Sequence, residues 1–199
     1  MIEAANVTGI ILCGGKGSRL GGRDKPLIQL GTKTIVEHIL GRLALQCDRI
    51  ILSCTRNVAL YEILNHKVVV DLDFEEGPLG GLNAALQYVT TEWALTLPGD
   101  APFVPQNLTT LLGKDAQKQG IAFPTAGNQQ HNLTMLMDQR RSTNLQAFYA
   151  NGGRAVKKWF LDEKIQSTNL DDYSDHFFNI NTESQLVKAS RLLAKLNVP

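Results

Sequence analysis

The sequence predicts a three-layer α/β fold: a mostly parallel central sheet with helices on both faces. Three observations predict it. Short apolar runs recur at Val7–Cys13, Arg49–Cys54, Lys67–Val70 and Trp93–Leu97, and their continuity suits strands buried on both sides. Helix-period segments separate them, and strand–helix alternation implies parallel pairing through right-handed crossovers. Glycine or aspartate closes three of the runs, at Gly14-Gly15, at Asp71 and at Pro98-Gly99-Asp100, which marks one common edge of the sheet.

The elements follow in order. Val7 to Cys13 is the first strand. Thr34 to Gln46 reads as a helix, because Thr34 and Glu37 make a capping box and Ile35, Ile39, Leu40 and Leu43 form an apolar stripe. Arg49 to Cys54 is the second strand, Val58 to Leu64 a short helix, and Lys67 to Val70 the third strand. Gly77-Pro78 opens a helix with Leu82, Ala85, Leu86 and Val89 on one face. Trp93 to Leu97 is the fourth strand. The second half is less regular. Helices are expected over Leu108–Gln117, Ser142–Tyr149 and Ala155–Phe160, and strands over Gly120–Pro124, Asn132–Met137 and Phe177–Ile180. Thr182 and Gln185 cap a closing helix through Leu196. No repeat, low-complexity tract or long linker interrupts residues 1–199, which read as one domain.

Composition narrows the function. The 199 residues carry a formal net charge of +1, so no global field draws the chain to nucleic acid or to a membrane. No apolar run is long enough to span a bilayer. The opening MIEAANVTG has neither a basic leader nor a long apolar block, so a cytoplasmic protein is expected. Cys13, Cys47 and Cys54 show no metal-ligand or paired spacing and read as small core residues.

The most informative segment is Leu12–Leu27, LCGGKGSRLGGRDKPL. It joins glycines at 14, 15, 17, 21 and 22 to the cations Lys16, Arg19, Arg23 and Lys25. Backbone without Cβ atoms lets N–H groups approach a phosphate, and the cations neutralise charge that backbone dipoles alone cannot. Open α/β sheets bind ligands directly after such a strand. The loop is not a Walker A motif, since Arg23 and Asp24 follow the Gly17/Gly22 spacing, and Leu20 breaks a dinucleotide fingerprint. A plain surface loop is the alternative.

Asp71 and Asp100 each follow an apolar strand on that same edge. Either could cap the next helix or turn, or serve as a magnesium ligand, and for Asp71 both readings stay open. For Asp100 the functional reading is a magnesium ligand, since magnesium takes one or two carboxylates plus phosphate oxygens. The nearby Asp73, Glu75 and Glu76 read as solvated loop charge. Gly77-Pro78-Leu79-Gly80-Gly81 would let a ligand, a planar base rather than a phosphate, lie against a helix start. None of the four histidines (His38, His66, His131, His176) reads as a catalytic base, though His131 could face an acceptor.

These segments resemble the molybdenum cofactor guanylyltransferases. LCGGKGSRLGGRDKPL is similar to that family's LAGG-x-S-x-R-M-G-x-D-K-x-L signature, GPLGG to its GPLAG step, PGDAPFV to its D-x-P-(F/Y)-(V/I) strand end, and FFNINTESQL to its F-x-N-(V/I)-N-T-x-x-(D/E)-L segment. The four run in family order from Leu12 to Leu186. The resemblance implies a Rossmann-like nucleotidyltransferase fold whose first half, to about residue 105, binds nucleotide and whose second half binds the acceptor. It implies transfer of GMP from GTP to molybdopterin with Mg²⁺ and release of pyrophosphate. Lys25, Arg19 and Asp100 would be catalytic, with Asp100 on the metal. Leu12, Cys13, Gly14, Gly15, Lys25, Ser53, Asp71 and Gly80 would surround the nucleotide, and Arg154, Asn179 and Asn181 the acceptor. Molybdenum-insertion proteins and molybdoenzyme chaperones would be its protein partners.

Three positions depart from the pattern: Cys13 for alanine, Leu20 for methionine, and Ser53 where a relative places asparagine. Gly14-Gly15, in place of the LAAG of cytidylyltransferase relatives, implies a purine. The rival readings are a molybdopterin cytidylyltransferase, a sugar-phosphate nucleotidyltransferase, or a non-catalytic GTP-binding protein of the same fold.

Overall fold

A computed structural model describes residues 2–15, 21–71 and 77–195. Arg19, Leu20, the loop acids 73, 75 and 76 and the expected helix end at Leu196 lie outside the described residues.

Among the described residues, the main sheet has six strands in the order β5-β4-β1-β6-β10-β7. They are β1 (Val7–Leu12), β4 (Arg49–Cys54), β5 (Lys67–Val70), β6 (Trp93–Pro98), β7 (Ile121–Ala122) and β10 (Met135–Asp138). β1, β4, β5 and β6 pair in parallel, and β10 is antiparallel to both its neighbours. The period of two along each strand sorts its side chains between two cores. In β1, Val7 and Ile11 face one core while Ile10 and Leu12 face the other. In β4, Ile50, Leu52 and Cys54 oppose Ile51 in the same way. The first core is closed by α1 (Ile35–Leu43), α2 (Val58–Glu62), α4 (Leu108–Gln119) and α7 (Glu183–Lys195), the second by α3 (Pro78–Leu86), α5 (Ser142–Ala150) and α6 (Val156–Asp162). The three layers are those expected.

The capping box at Thr34 and Glu37 forms, and Thr182 and Gln185 cap the closing helix. The Thr34 hydroxyl accepts from Glu37 N, and the Glu37 carboxylate accepts from Thr34 N at 2.6 Å. The Thr34 hydroxyl also donates to the Glu37 carboxylate at 2.6 Å, and this bond first, then the one from Thr34 N, holds the carboxyl below the usual range. At α7, Gln185 N donates to the Thr182 hydroxyl and Gln185 Oε1 accepts from Asn181 N at 2.8 Å.

Two minor sheets were not anticipated. β2 (Gln29–Leu30) and β3 (Lys33–Thr34) form a short ribbon before α1. A three-stranded sheet joins β8 (Pro124–Ala126), β9 (Gln129–Gln130) and β11 (Thr168–Asn169). The expected strand Gly120–Pro124 therefore divides: β7 stays in the main sheet, and after Phe123 the chain leaves it. Proline has no N–H to donate, which suits Pro124 to this break. Gly127 and Asn128 turn β8 into β9 with positive φ at both residues, 57° and 62°, the backbone of a two-residue hairpin. The expected strand Phe177–Ile180 is corrected. Phe177 ends a 3-10 helix over Asp171–Phe177, and Ile180 N donates instead to the Asp100 carbonyl at 2.9 Å. The segment is a strap across the strand ends rather than a member of a sheet.

Candidate active site

The C-terminal ends of β1, β4, β5 and β6 open onto a cleft of about 260 Å³. Leu12, Gly14, Gly15, Lys25, Ser53, Asp71 and Asp100 all line it, so the structure gathers most of the residues assigned to the nucleotide. Cys13 and Gly80 are buried and are not among the lining residues. Gly81, one position on and equally buried, is the glycine of this step that lines the cleft. Burial first, and then the nearby Asp24 charge, push the Cys13 thiol well up. It is a neutral filler under the loop, not a nucleophile.

The cleft is narrow because glycine permits it. A Cβ on Gly81 would lie 2.7 Å from Ser53 Oγ and 3.2 Å from Asp71 Oδ2. Ser53 Oγ in turn donates to the Gly81 carbonyl at 3.0 Å, so the start of α3 is stitched to the end of β4. A Cβ on Gly99 would lie 2.8 Å from the Leu12 carbonyl oxygen and 2.8 Å from Pro26 Cγ. That approach lets Gly99 N donate to Leu12 O at 2.9 Å and brings the tip of β6 under the basic loop.

Lys25 is placed from below. Asp24 is buried and accepts from the Tyr61 hydroxyl at 3.0 Å and from Asn57 Nδ2 at 2.9 Å. Pro26 starts a 3-10 turn over Lys25–Leu27, so the lysine backbone is fixed. Its ammonium donates to Asp100 Oδ2 at 3.0 Å and to Asn181 Oδ1 at 2.6 Å. Asn179 Nδ2 donates to the other carboxylate oxygen, Asp100 Oδ1, at 2.9 Å. The side chains of Lys25 and Asp100 are only 21 % and 14 % exposed. Four residues from three distant segments thus form one cluster. On the rim, Arg56 donates to the carbonyls of Gly15 and Arg23, and Arg23 pairs with Glu183.

A second cleft, of about 670 Å³, adjoins the first. Pro98, Leu133 and Asn179 line both. Its wall holds Gln129, Gln130, His131, Asn132, Asn181 and Gln185, and no Lys, Arg, Asp or Glu is among the lining residues. The His131 ring stacks on Phe177 with centroids 4.9 Å apart, and burial lowers its pKa. Asn132 Oδ1 is buried without a hydrogen-bond partner among the described residues. Arg154 does not join this wall. It is exposed at the turn before α6, donates to the carbonyls of Tyr149 and Gly153, and lies over the Tyr149 ring.

Sequence reasoning missed Thr55, Gly99 and Leu133 in the first cleft and the amides of β9 in the second. Thr55 was available, since it immediately follows a strand on the binding edge. The hairpin was signalled by Gly127-Asn128 between short strands. Two other histidines make structural contacts: His38 Nε2 donates to Leu30 O at 2.8 Å, and His176 Nδ1 meets Phe103 O at 2.9 Å. No group of three or more His, Cys, Asp or Glu is assembled for a metal among the described residues, and no described helix is long and apolar enough to cross a membrane.

Known proteins resemble this chain in sequence and fold. Residues 9–166 match the family described as the MobA-like NTP transferase domain. Over 195 residues the chain is 30 % identical to a molybdenum cofactor guanylyltransferase from Shewanella frigidimarina, covering 96 % of this chain and 100 % of the relative. A protein of the same name from Ralstonia nicotianae is 35 % identical, with 94 % and 97 % covered. Among solved structures, molybdopterin-guanine dinucleotide biosynthesis protein A from Archaeoglobus fulgidus superposes with a TM-score of 0.73 at 20 % identity over 95 % of this chain and 99 % of that one. The 2-C-methyl-D-erythritol 4-phosphate cytidylyltransferase from Thermus thermophilus gives 0.74 at 14 %, over 94 % and 98 %. The fold therefore serves more than one acceptor.

Proposed function

The chain belongs to the MobA-like NTP transferase family, and we propose that it transfers GMP from GTP to molybdopterin, releasing pyrophosphate and forming molybdopterin guanine dinucleotide. The observation that carries this reading is the Lys25–Asp100–Asn179–Asn181 cluster at the junction of the two clefts. It is where a nucleotide in the first cleft and an acceptor phosphate from the second would meet. The relatives' shared name supports the choice of GTP and molybdopterin.

In the reaction an oxygen of the acceptor phosphate attacks the α-phosphorus of GTP in line. The new P–O bond forms as the bond to the bridging α–β oxygen breaks, and that electron pair leaves with pyrophosphate. The nucleophile is already ionised, so no general base is required, in keeping with a site that presents no histidine to the cluster. Two anions must be brought together, and positioning and charge stabilisation provide the catalysis. Lys25 offsets their repulsion, and Arg19 joins it from the loop. Gly14, Gly15 and the Ser53–Gly81 stitch shape the nucleotide floor, with Asp71 beside them. Asn179 fixes one Asp100 oxygen and Asn181 holds Lys25, and both face the acceptor.

Asp100 fits a magnesium ligand. It is a hard oxygen donor with one oxygen held by an amide, at the edge where a triphosphate supplies the remaining oxygens. When bound, Mg²⁺ would neutralise charge developing on the pyrophosphate leaving group. A cytoplasmic site of action is part of this proposal. Its test is pyrophosphate release from GTP, CTP and ATP, with and without molybdopterin and Mg²⁺. Release from GTP that requires molybdopterin is expected. Preference for CTP, or equal release with a sugar phosphate as acceptor, would replace it with one of the rival transferases.

A further inference from the structure

Lys25 and Asp100 satisfy each other across the nucleotide cleft. The ammonium sits 3.0 Å from Asp100 Oδ2, and Asn179 occupies Oδ1. Both carboxylate oxygens are therefore engaged, and one of them by a full positive charge. A divalent cation arriving alone would have to evict this ammonium. Its second partner is the neutral Asn181 oxygen, and Asp71 is the one other carboxylate among the described residues that line the cleft.

We propose that Lys25 is a tethered placeholder for the metal at Asp100, and that this exchange restricts Asp100 to metal that arrives with a polyphosphate. The inference rests on the reading of Asp100 as a metal ligand. Charge balance carries it. Without nucleotide, Lys25 and Asp100 neutralise each other. With a metal–triphosphate complex, Lys25 transfers to a phosphate oxygen, and the Asp100 oxygen it releases meets the metal. Every charge keeps a partner throughout, which matters in a cleft where the side chains are four-fifths shielded from water. Metal alone offers Lys25 no such destination. The lysine thus does two things with one side chain: it blocks unproductive metal binding and it then neutralises the nucleotide.

The test measures binding rather than turnover. Mn²⁺ titrated into nucleotide-free protein, and into protein with GTP, is followed by electron paramagnetic resonance of the free ion. The unaltered protein is expected to bind Mn²⁺ alone at least about tenfold more weakly than with GTP. Lys25→Met, and independently Lys25→Gln, should bind Mn²⁺ alone about tenfold more tightly than the unaltered protein while binding Mn²⁺ with GTP less well. Asp100→Asn should lose both. If both lysine variants bind Mn²⁺ alone no better than the unaltered protein while Asp100→Asn loses Mn²⁺ with GTP, the placeholder is wrong and the metal reading survives. If Asp100→Asn holds Mn²⁺ with GTP as well as the unaltered protein does, the metal reading fails and takes the placeholder with it.

Discussion

The two clefts meet at one hydrogen-bonded cluster but are made of different materials. The first is glycine, backbone and formal charge: Gly14, Gly15 and Gly81 with Lys25, Asp71 and Asp100. The second is larger and is walled by amides and an imidazole, with no carboxylate, lysine or arginine among its lining residues. On the proposed function, the difference matches what each cleft would recognise. A triphosphate is a dense anion that is held by close backbone and by countercharge. A neutral heterocycle offers a row of donors and acceptors, and primary amides carry both. Burying charge against such a ring would cost more than it returned.

The largest expected effect breaks the first cleft at its charge. Asp100→Ala should lower turnover on the order of 10³-fold and also lower thermal stability, because the shielded Lys25 ammonium and the Asn179 amide lose their acceptor, as followed by pyrophosphate release at a temperature where calorimetry shows the variant folded. Undiminished turnover would remove Asp100 from the chemistry. Next comes its shape. Gly99→Ala places a methyl against the Leu12 carbonyl and Pro26, so it should cost about 1–3 kcal/mol of folding stability, seen as a lower urea midpoint, and weaken GTP. An unshifted midpoint would mean that the strand tip yields.

In the second cleft the effects are smaller and separable. His131→Ala should raise the KM for molybdopterin about tenfold and leave the KM for GTP unchanged; a change in the GTP value alone would assign the wall to the nucleotide. The same residue gives a pH signature. Burial holds His131 below its ordinary value, so the unfolded chain takes up that proton first. Its contribution is nil well above about pH 6.5, becomes destabilising as pH falls through that value, and levels off below the depressed folded pKa. His131→Ala should flatten that part of the stability–pH curve. The smallest effect is at Arg154. The resemblance puts it with the acceptor, and its carbonyl partners at Tyr149 and Gly153 put it away from both clefts. Arg154→Ala should change the molybdopterin KM less than about twofold; a tenfold rise would bring it back to the site.

The same contrast explains what could be read beforehand. The first cleft was legible because its chemistry is punctuated in sequence: glycines and cations after one strand, acids after two others. The helix caps at Thr34–Glu37 and Thr182–Gln185 were equally plain, since the partners of each lie three residues apart. The second cleft was not, because amides carry no spacing rule and are assembled from β9, residues 131–134 and the segment before α7. The strand assigned to Phe177–Ile180 failed for a related reason. Its apolar run is that of a strand, but the partner of Ile180 N is the Asp100 carbonyl, 80 positions away and at the end of a sheet rather than within one. Phe123 and Pro124 show the same limit, since nothing local says which of two sheets each residue enters.

Gln185 sits on the first turn of an otherwise ordinary surface helix, yet its side-chain oxygen receives the Asn181 amide, and Asn181 in turn receives Lys25. Exchanging it for a similar helix former such as lysine would look harmless in a substitution table. Here it would loosen the backbone of Asn181, whose side chain holds the Lys25 ammonium, so a change on this helix is felt at Lys25 through two consecutive hydrogen bonds.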